Sequence, residues 1–175
     1  MTAPTLTQPT LTSSQLDEIS AQADALLLPS FTADDAFNIG ISLRNRIRSL
    51  YPSAGAVINI TLTNSDNVLF HCTTGSGVQP DNDIWVARKR KTVKRWLVSS
   101  WYMHHKMSGD EEAFKKKYVL GETAGEYAIH GGGVPVRVRG VEGVVGIVIV
   151  SGLKQNEDHQ VVVEALEEFI QGQKS

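Results

Sequence analysis

The chain has 175 residues, 17 Lys and Arg against 19 Asp and Glu, a formal net charge of −2, 41% hydrophobic and 21% charged residues. These values exclude a disordered or fibrous chain, give no overall drive toward nucleic acid or an anionic membrane, and suit one domain with a substantial core. The single cysteine, Cys72, excludes an intrachain disulfide or a thiolate-rich metal site and fits a reducing, cytoplasmic compartment.

Residues 1–13 contain five threonines and two prolines but no Lys or Arg. They read as a disordered tail rather than a targeting segment, and 14–175 as a single domain. The spacing of Leu16, Ile19, Ala23 and Leu26 predicts a helix over 14–28, followed by Pro29. Thr32 with Asp35 three positions on is a capping signal for a helix over 33–50, with Phe37, Ile41 and Ile47 in its apolar stripe and Tyr51-Pro52 ending it. Alternation over 56–63, the turn formers Asn64-Ser65-Asp66-Asn67, and a second run over 68–72 predict a β-hairpin.

Pro80-Asp81-Asn82-Asp83 opens a long helix over 81–107, and a short charged helix over 111–118 follows Gly109-Asp110. Nine of the fifteen glycines then lie between Gly121 and Gly152, interleaved with Val and Ile. Three strands over 127–130, 134–138 and 144–150 fit that pattern, and a helix over 156–170 closes the chain. The order ααββααβββα lacks a βα rhythm and predicts an α+β fold with an antiparallel sheet. The run Val144 to Val150 is apolar on both faces, so it belongs at the centre of a three-layer α/β/α arrangement. It is also far shorter than the roughly 20 residues of a membrane helix.

Gly131-Gly132-Gly133 directly after His130 is the most unusual stretch. Three glycines either solve a backbone problem in a tight turn or expose amides to an anion. The spacing is neither a Walker loop nor Gly-x-Gly-x-x-Gly. The long helix carries Arg88, Lys89, Arg90, Lys91, Lys94 and Arg95, while its apolar stripe runs Val86, Val93, Leu97, Trp101. Helical spacing places Lys89 and Arg90 inside that stripe, so one cation points inward and must meet a carboxylate or an anionic ligand. The plainer alternative is a solvated face with snorkelling stems. Nucleic-acid binding is a weaker reading, because Trp96, Trp101 and Tyr102 also suit core packing. Asp158, in the first turn of the last helix, shares a face with Val162, Leu166 and Phe169; it serves as a dipole partner, a catalytic group or the answer to the inward cation. His104 and His105 are adjacent and no His-x-x-x-His pair exists, so a zinc site is not supported. His71 and His130 stand at strand ends, where an imidazole acts either as a hydrogen-bonded structural residue or as a metal or haem ligand.

The segments Ala128-Ile129-His130-Gly131-Gly132-Gly133-Val134-Pro135, Gly143-Val144-Val145-Gly146-Ile147-Val148-Ile149-Val150-Ser151-Gly152 and Asp158-His159 resemble the haem-degrading-domain family that includes GlcG and HbpS. Pro80-Asp81-Asn82-Asp83, Arg88-Lys89-Arg90, Gly109-Asp110 and Lys117-Tyr118-Val119-Leu120-Gly121 resemble a branch of uncharacterised proteins within it, and together the match covers about residues 54–170. The resemblance implies a profilin-like fold with a five-stranded antiparallel sheet, assembly into homo-oligomers and, in some members, haem or tetrapyrrole binding and degradation. Three functional expectations follow. The first is a homo-oligomer that binds a small anionic molecule through Lys89, Arg90, His130, Gly131, Gly132, Gly133 and Asp158. The second is haem binding through His71 or His130, and the third an oligomeric adaptor for protein partners.

Overall fold

The computed structural model describes residues 13–174. The expected tail therefore lies outside the described residues apart from Ser13, which opens the first helix. In chain order the elements are α1 (Ser13–Ala25), β1 (Leu27–Leu28), α2 (Ala33–Leu50), β2 (Val57–Leu62), β3 (Val68–Thr73), α3 (Pro80–Trp96), α4 (Ser100–Lys106), α5 (Glu111–Lys117), a 3-10 turn (Gly121–Glu126), β4 (Gly133–Val138), β5 (Gly146–Ser151) and α6 (Gln155–Gly172).

The five strands form one sheet in the order β1-β4-β5-β2-β3. The pairs β4·β5, β5·β2 and β2·β3 are antiparallel, and β1 runs parallel to β4 with Leu27 opposite Arg137. Period-two alternation sends alternate side chains to opposite faces. Ile58, Ile60, Val134, Val136, Val148 and Val150 pack under α2 and α6, whereas Val57, Ile147 and Ile149 pack under Val86 and Val93 of α3. The α+β, three-layer reading holds, and β5 lies at the centre of the sheet with every residue buried. Each such Ile or Val contributes roughly 1.5–3 kcal/mol of burial.

Four expectations change. The helix over 14–28 stops at Ala25, freeing Leu27 and Leu28 to become the fifth strand. Residues 127–130 form no strand; Ala128 hydrogen-bonds Thr92 and the Arg88 carbonyl instead, which holds this segment along α3. The single helix over 81–107 is two, because Leu97 takes a left-handed conformation (φ 58°) and Ser99 caps a new helix by accepting from the Tyr102 amide. Finally, the buried stripe of α2 is Ala36, Ile39, Gly40, Leu43 and Ile47, so Phe37 and Ile41 face outward. Gly40 is required there, since a Cβ would lie 2.5 Å from the Phe70 ring.

Candidate functional site

The first turns of α3 and α6 lie on the two sides of a cleft of about 260 Å³ lined by Asp81, Asn82, Trp85, Lys89, His130 and Asp158, among others. Local sequence explains the placement. Asp81, Trp85 and Lys89 are four residues apart and share one face of α3. The Asp81 carboxylate accepts from Trp85 Nε1 at 3.1 Å, and Asn82 Nδ2 donates across the cleft to the Ser151 carbonyl at 3.5 Å.

Lys89 is the inward cation. Its ammonium donates to the Val150 carbonyl and to Asp158 Oδ2, both at 3.0 Å, and both side chains of the pair are only 3% exposed. Asp158 also accepts from the Leu153 amide at 3.0 Å. Burial pushes the Asp158 carboxyl up to about 6, against the pull of Lys89 and that amide. Two of the readings left open for Asp158 thus coincide: it opens α6 and answers the cation.

The glycine loop backs this pair. A Cβ on Gly132, whose φ is 126°, would lie 2.3 Å from the Val150 oxygen and 2.7 Å from Lys89 Nζ, and one on Gly131 would lie 2.2 Å from the Gln155 oxygen. The Gly133 amide donates to Ser100 Oγ at 2.9 Å and the Gly131 amide to Gln155 Oε1 at 3.4 Å. The glycines serve close packing, and these two amides are spent within the protein.

His130 forms a wall of the cleft, edge-on to Trp85 with ring centroids 4.8 Å apart. Burial lowers its pKa while Glu111, 3.7 Å away, raises it. Lys89, His130, Gly131, Gly132, Gly133 and Asp158 therefore come together. Arg90 does not join them: its guanidinium donates to Asn59 Oδ1 at 2.6 Å on the β2 side of α3, and burial lowers its pKa. His71 is on β3, accepting at Nδ1 from Asn59 and facing Asp83 through Nε2 at 3.6 Å.

Sequence reasoning missed Trp85 and Asn82, although the four-residue spacing from Asp81 through Trp85 to Lys89 marks their helix face. It also missed a cluster behind the cleft, where Trp101 stacks on His104 and His159 and meets His105 at 4.1 Å. Desolvation pushes His105 down to about 4 and His159 to about 3, so these imidazoles are neutral at pH 7. Among the described residues no group of three or more His, Cys, Asp or Glu is arranged to hold a metal ion, and no helix is long and apolar enough to cross a membrane.

The family described as haem degrading protein, HbpS-like, matches residues 31–167. A UPF0303 protein of Streptomyces avermitilis is 39% identical over 155 residues, 89% of this chain and 90% of that protein. The UPF0303 protein YBR137W of Saccharomyces cerevisiae is 36% identical over 154 residues, 88% of this chain and 83% of that one. The crystal structure of Ybr137w superposes with a TM-score of 0.86 at 34% identity, covering 94% of this chain and 92% of that one. That of HbpS superposes with a TM-score of 0.59 at 18% identity, covering 94% and 93%, a likeness of fold alone.

Proposed function

We propose that this chain, which belongs to the HbpS-like haem-degrading protein family, is a cytoplasmic, homo-oligomeric binding protein for a small ligand bearing one anionic group. The observation that carries the reading is the convergence of Lys89, His130 and Asp158 on one cleft between the starts of two long helices. A helix N-terminus carries roughly half a positive charge, and two of them flank this cleft. Asp158 takes most of the Lys89 charge, and Asp81 stands at the rim. That balance suits a single carboxylate better than a polyphosphate, with the third Lys89 N–H, the Asn82 carboxamide and the His130 ring as polar contacts. Homo-oligomerisation is supported by apolar side chains left outward, Phe37 at 55% and Val68 at 58% exposure.

Haem suits these residues poorly. The cleft of about 260 Å³ is smaller than the roughly 300–1,000 Å³ of pockets that hold drug-sized ligands. Both ring nitrogens of His71 face partners within the protein, and Lys89 is paired with Asp158 rather than turned toward a propionate. What still favours haem is the family description and the buried His130 Nδ1, which lacks a hydrogen-bond partner.

Calorimetric titration with lactate, succinate, inorganic phosphate and haemin separates the readings. Saturable binding of a carboxylate, lost in His130→Ala and kept in Arg90→Ala, is expected. Stoichiometric haemin binding with a histidine-dependent visible band, and no carboxylate binding, would replace this reading with the haem one.

A further inference from the structure

A second cavity, of about 200 Å³, lies between α3, α5 and the 3-10 turn, bordered by Arg88, Glu111, Glu112, Phe114, Lys115 and Tyr127 among others. Its apolar surface is deep in the protein: Phe114 is 3% exposed and Tyr127 8%. Its charges do not neutralise one another. Glu111 and Lys115 are four apart on α5 with the glutamate N-terminal, the orientation in which such pairs ordinarily meet, yet no ion pair forms between them. Among the described residues neither Arg88, Lys115 nor Glu112 has an ion-pair partner within 4 Å, and Glu111 has only the His130 ring at 3.7 Å.

Arg88 is held rigidly nonetheless. Its Nε and Nη2 donate to the Tyr127 carbonyl at 3.2 and 3.0 Å, and its guanidinium lies 4.4 Å from the Trp85 ring centroid. Two cations and two carboxylates thus border one cavity over Phe114 and Tyr127 with no ion pair among them, an arrangement complementary to a molecule carrying both charges and an apolar body. At about 200 Å³ the cavity is below the roughly 300–1,000 Å³ of pockets that hold drug-sized ligands, which limits its occupant to a smaller molecule.

We propose that this cavity is a binding site for a free, zwitterionic α-amino acid with an apolar side chain. Its carboxylate meets Arg88 and Lys115, its ammonium meets Glu111 and Glu112, and its side chain lies against Phe114 and Tyr127. The site shares no lining residue with the α3–α6 cleft but adjoins it, since Glu111 faces His130 and Arg88 lies over Trp85.

The test is calorimetry on the full chain with L-leucine and L-phenylalanine, alongside N-acetyl-L-phenylalanine, which lacks the ammonium, and L-phenylalanine amide, which lacks the carboxylate. We expect saturable one-to-one binding of both amino acids and at least about tenfold weaker binding of each analogue. Glu111→Gln and Lys115→Ala, both on the exposed face of α5, should each weaken phenylalanine about tenfold while leaving the melting temperature unchanged. The proposal is overturned if neither amino acid binds at millimolar concentration. Equal binding of the analogues, which would mean a merely apolar hole, also overturns it, as does wild-type affinity in both variants.

Discussion

Lys89 and Asp158 are opposite charges removed from water together, and each is tolerable only because of the other. Breaking such a pair leaves an uncompensated buried charge and costs roughly 3–5 kcal/mol, whereas replacing both partners with apolar groups is often nearly neutral. Because burial already penalises the Asp158 carboxylate, Asp158→Asn should destabilise by less than that full range in urea unfolding, and Lys89→Met with Asp158→Leu by less than Asp158→Asn alone. Equal losses would mean that the pair is not mutually compensated. The histidines behind it set the response to acid. His105 and His159 are depressed to about 4 and about 3 from 6.5, so their contribution is present above pH 6.5 and is lost as pH falls toward those values. Asp158, raised to about 6, works the other way, its contribution being lost as pH rises through 6. Two depressed groups outweigh one raised group, so the melting temperature should fall from pH 6.5 to 4.5, and His159→Leu should flatten that fall. A profile unchanged in the variant would show that His159 takes up its proton in the folded state near its ordinary value, so that burial does not hold it neutral in this window. At this scale much of the site was legible: helical phase put a cation inward, and the same phase put Asp158 on the core face of α6. The partner of each could not be read, because a contact between positions 89 and 158 depends on how two helices dock on opposite faces of one sheet.

The break between α3 and α4 shows where single elements escaped the sequence pattern. Val93, Leu97 and Trp101 keep helical spacing straight through the break, so periodicity alone continues the helix. The break was written in Ser99, whose hydroxyl competes for a backbone amide and caps better than it propagates. Leu97 bears the strain of the junction at φ 58°. Leu97→Gly removes a left-handed penalty of roughly 1–2 kcal/mol but gives back part of it in unfolded-chain entropy. A net gain of about 0.5 kcal/mol in thermal unfolding is expected, since the leucine is 41% exposed and buries little. Ser99→Ala should cost about 1 kcal/mol through loss of the cap. A Leu97→Gly variant less stable than wild type would show that Leu97 packing outweighs its backbone strain. The missing strand at 127–130 and the additional one at 27–28 have a related cause. β1 has two residues, too short for any alternation to register, and is specified by parallel pairing to β4, 110 residues away at the Leu27–Arg137 pair. Local pattern carries no record of such a partner.

For the whole molecule, the outward stripe of α2 decides between a solitary domain and an assembly. The α2 core is built by Ile39, Leu43 and Ile47, so nothing within the domain requires Phe37 at 55% exposure or Ile41 at 38%. Phe37 stands edge-on to Phe70 of β3 with centroids 6.0 Å apart, and β3 is an edge strand carrying Val68 at 58% exposure. An edge strand with unpaired backbone beside an apolar stripe is the arrangement proteins ordinarily blunt with charge or proline unless another chain covers it. Here the strand Val68–Thr73 contains neither a proline nor an aspartate, glutamate, lysine or arginine. If this face joins copies of the chain, Phe37→Glu combined with Val68→Lys should lower the mass seen by light scattering at micromolar concentration. It should also leave the circular dichroism of the protomer intact, since neither side chain belongs to the buried core. Mass unchanged in the double variant would place the assembly elsewhere on the surface. A monomeric wild type at the same concentration would remove homo-oligomerisation from the reading while leaving both cavities untouched, since neither is lined by a residue of this face.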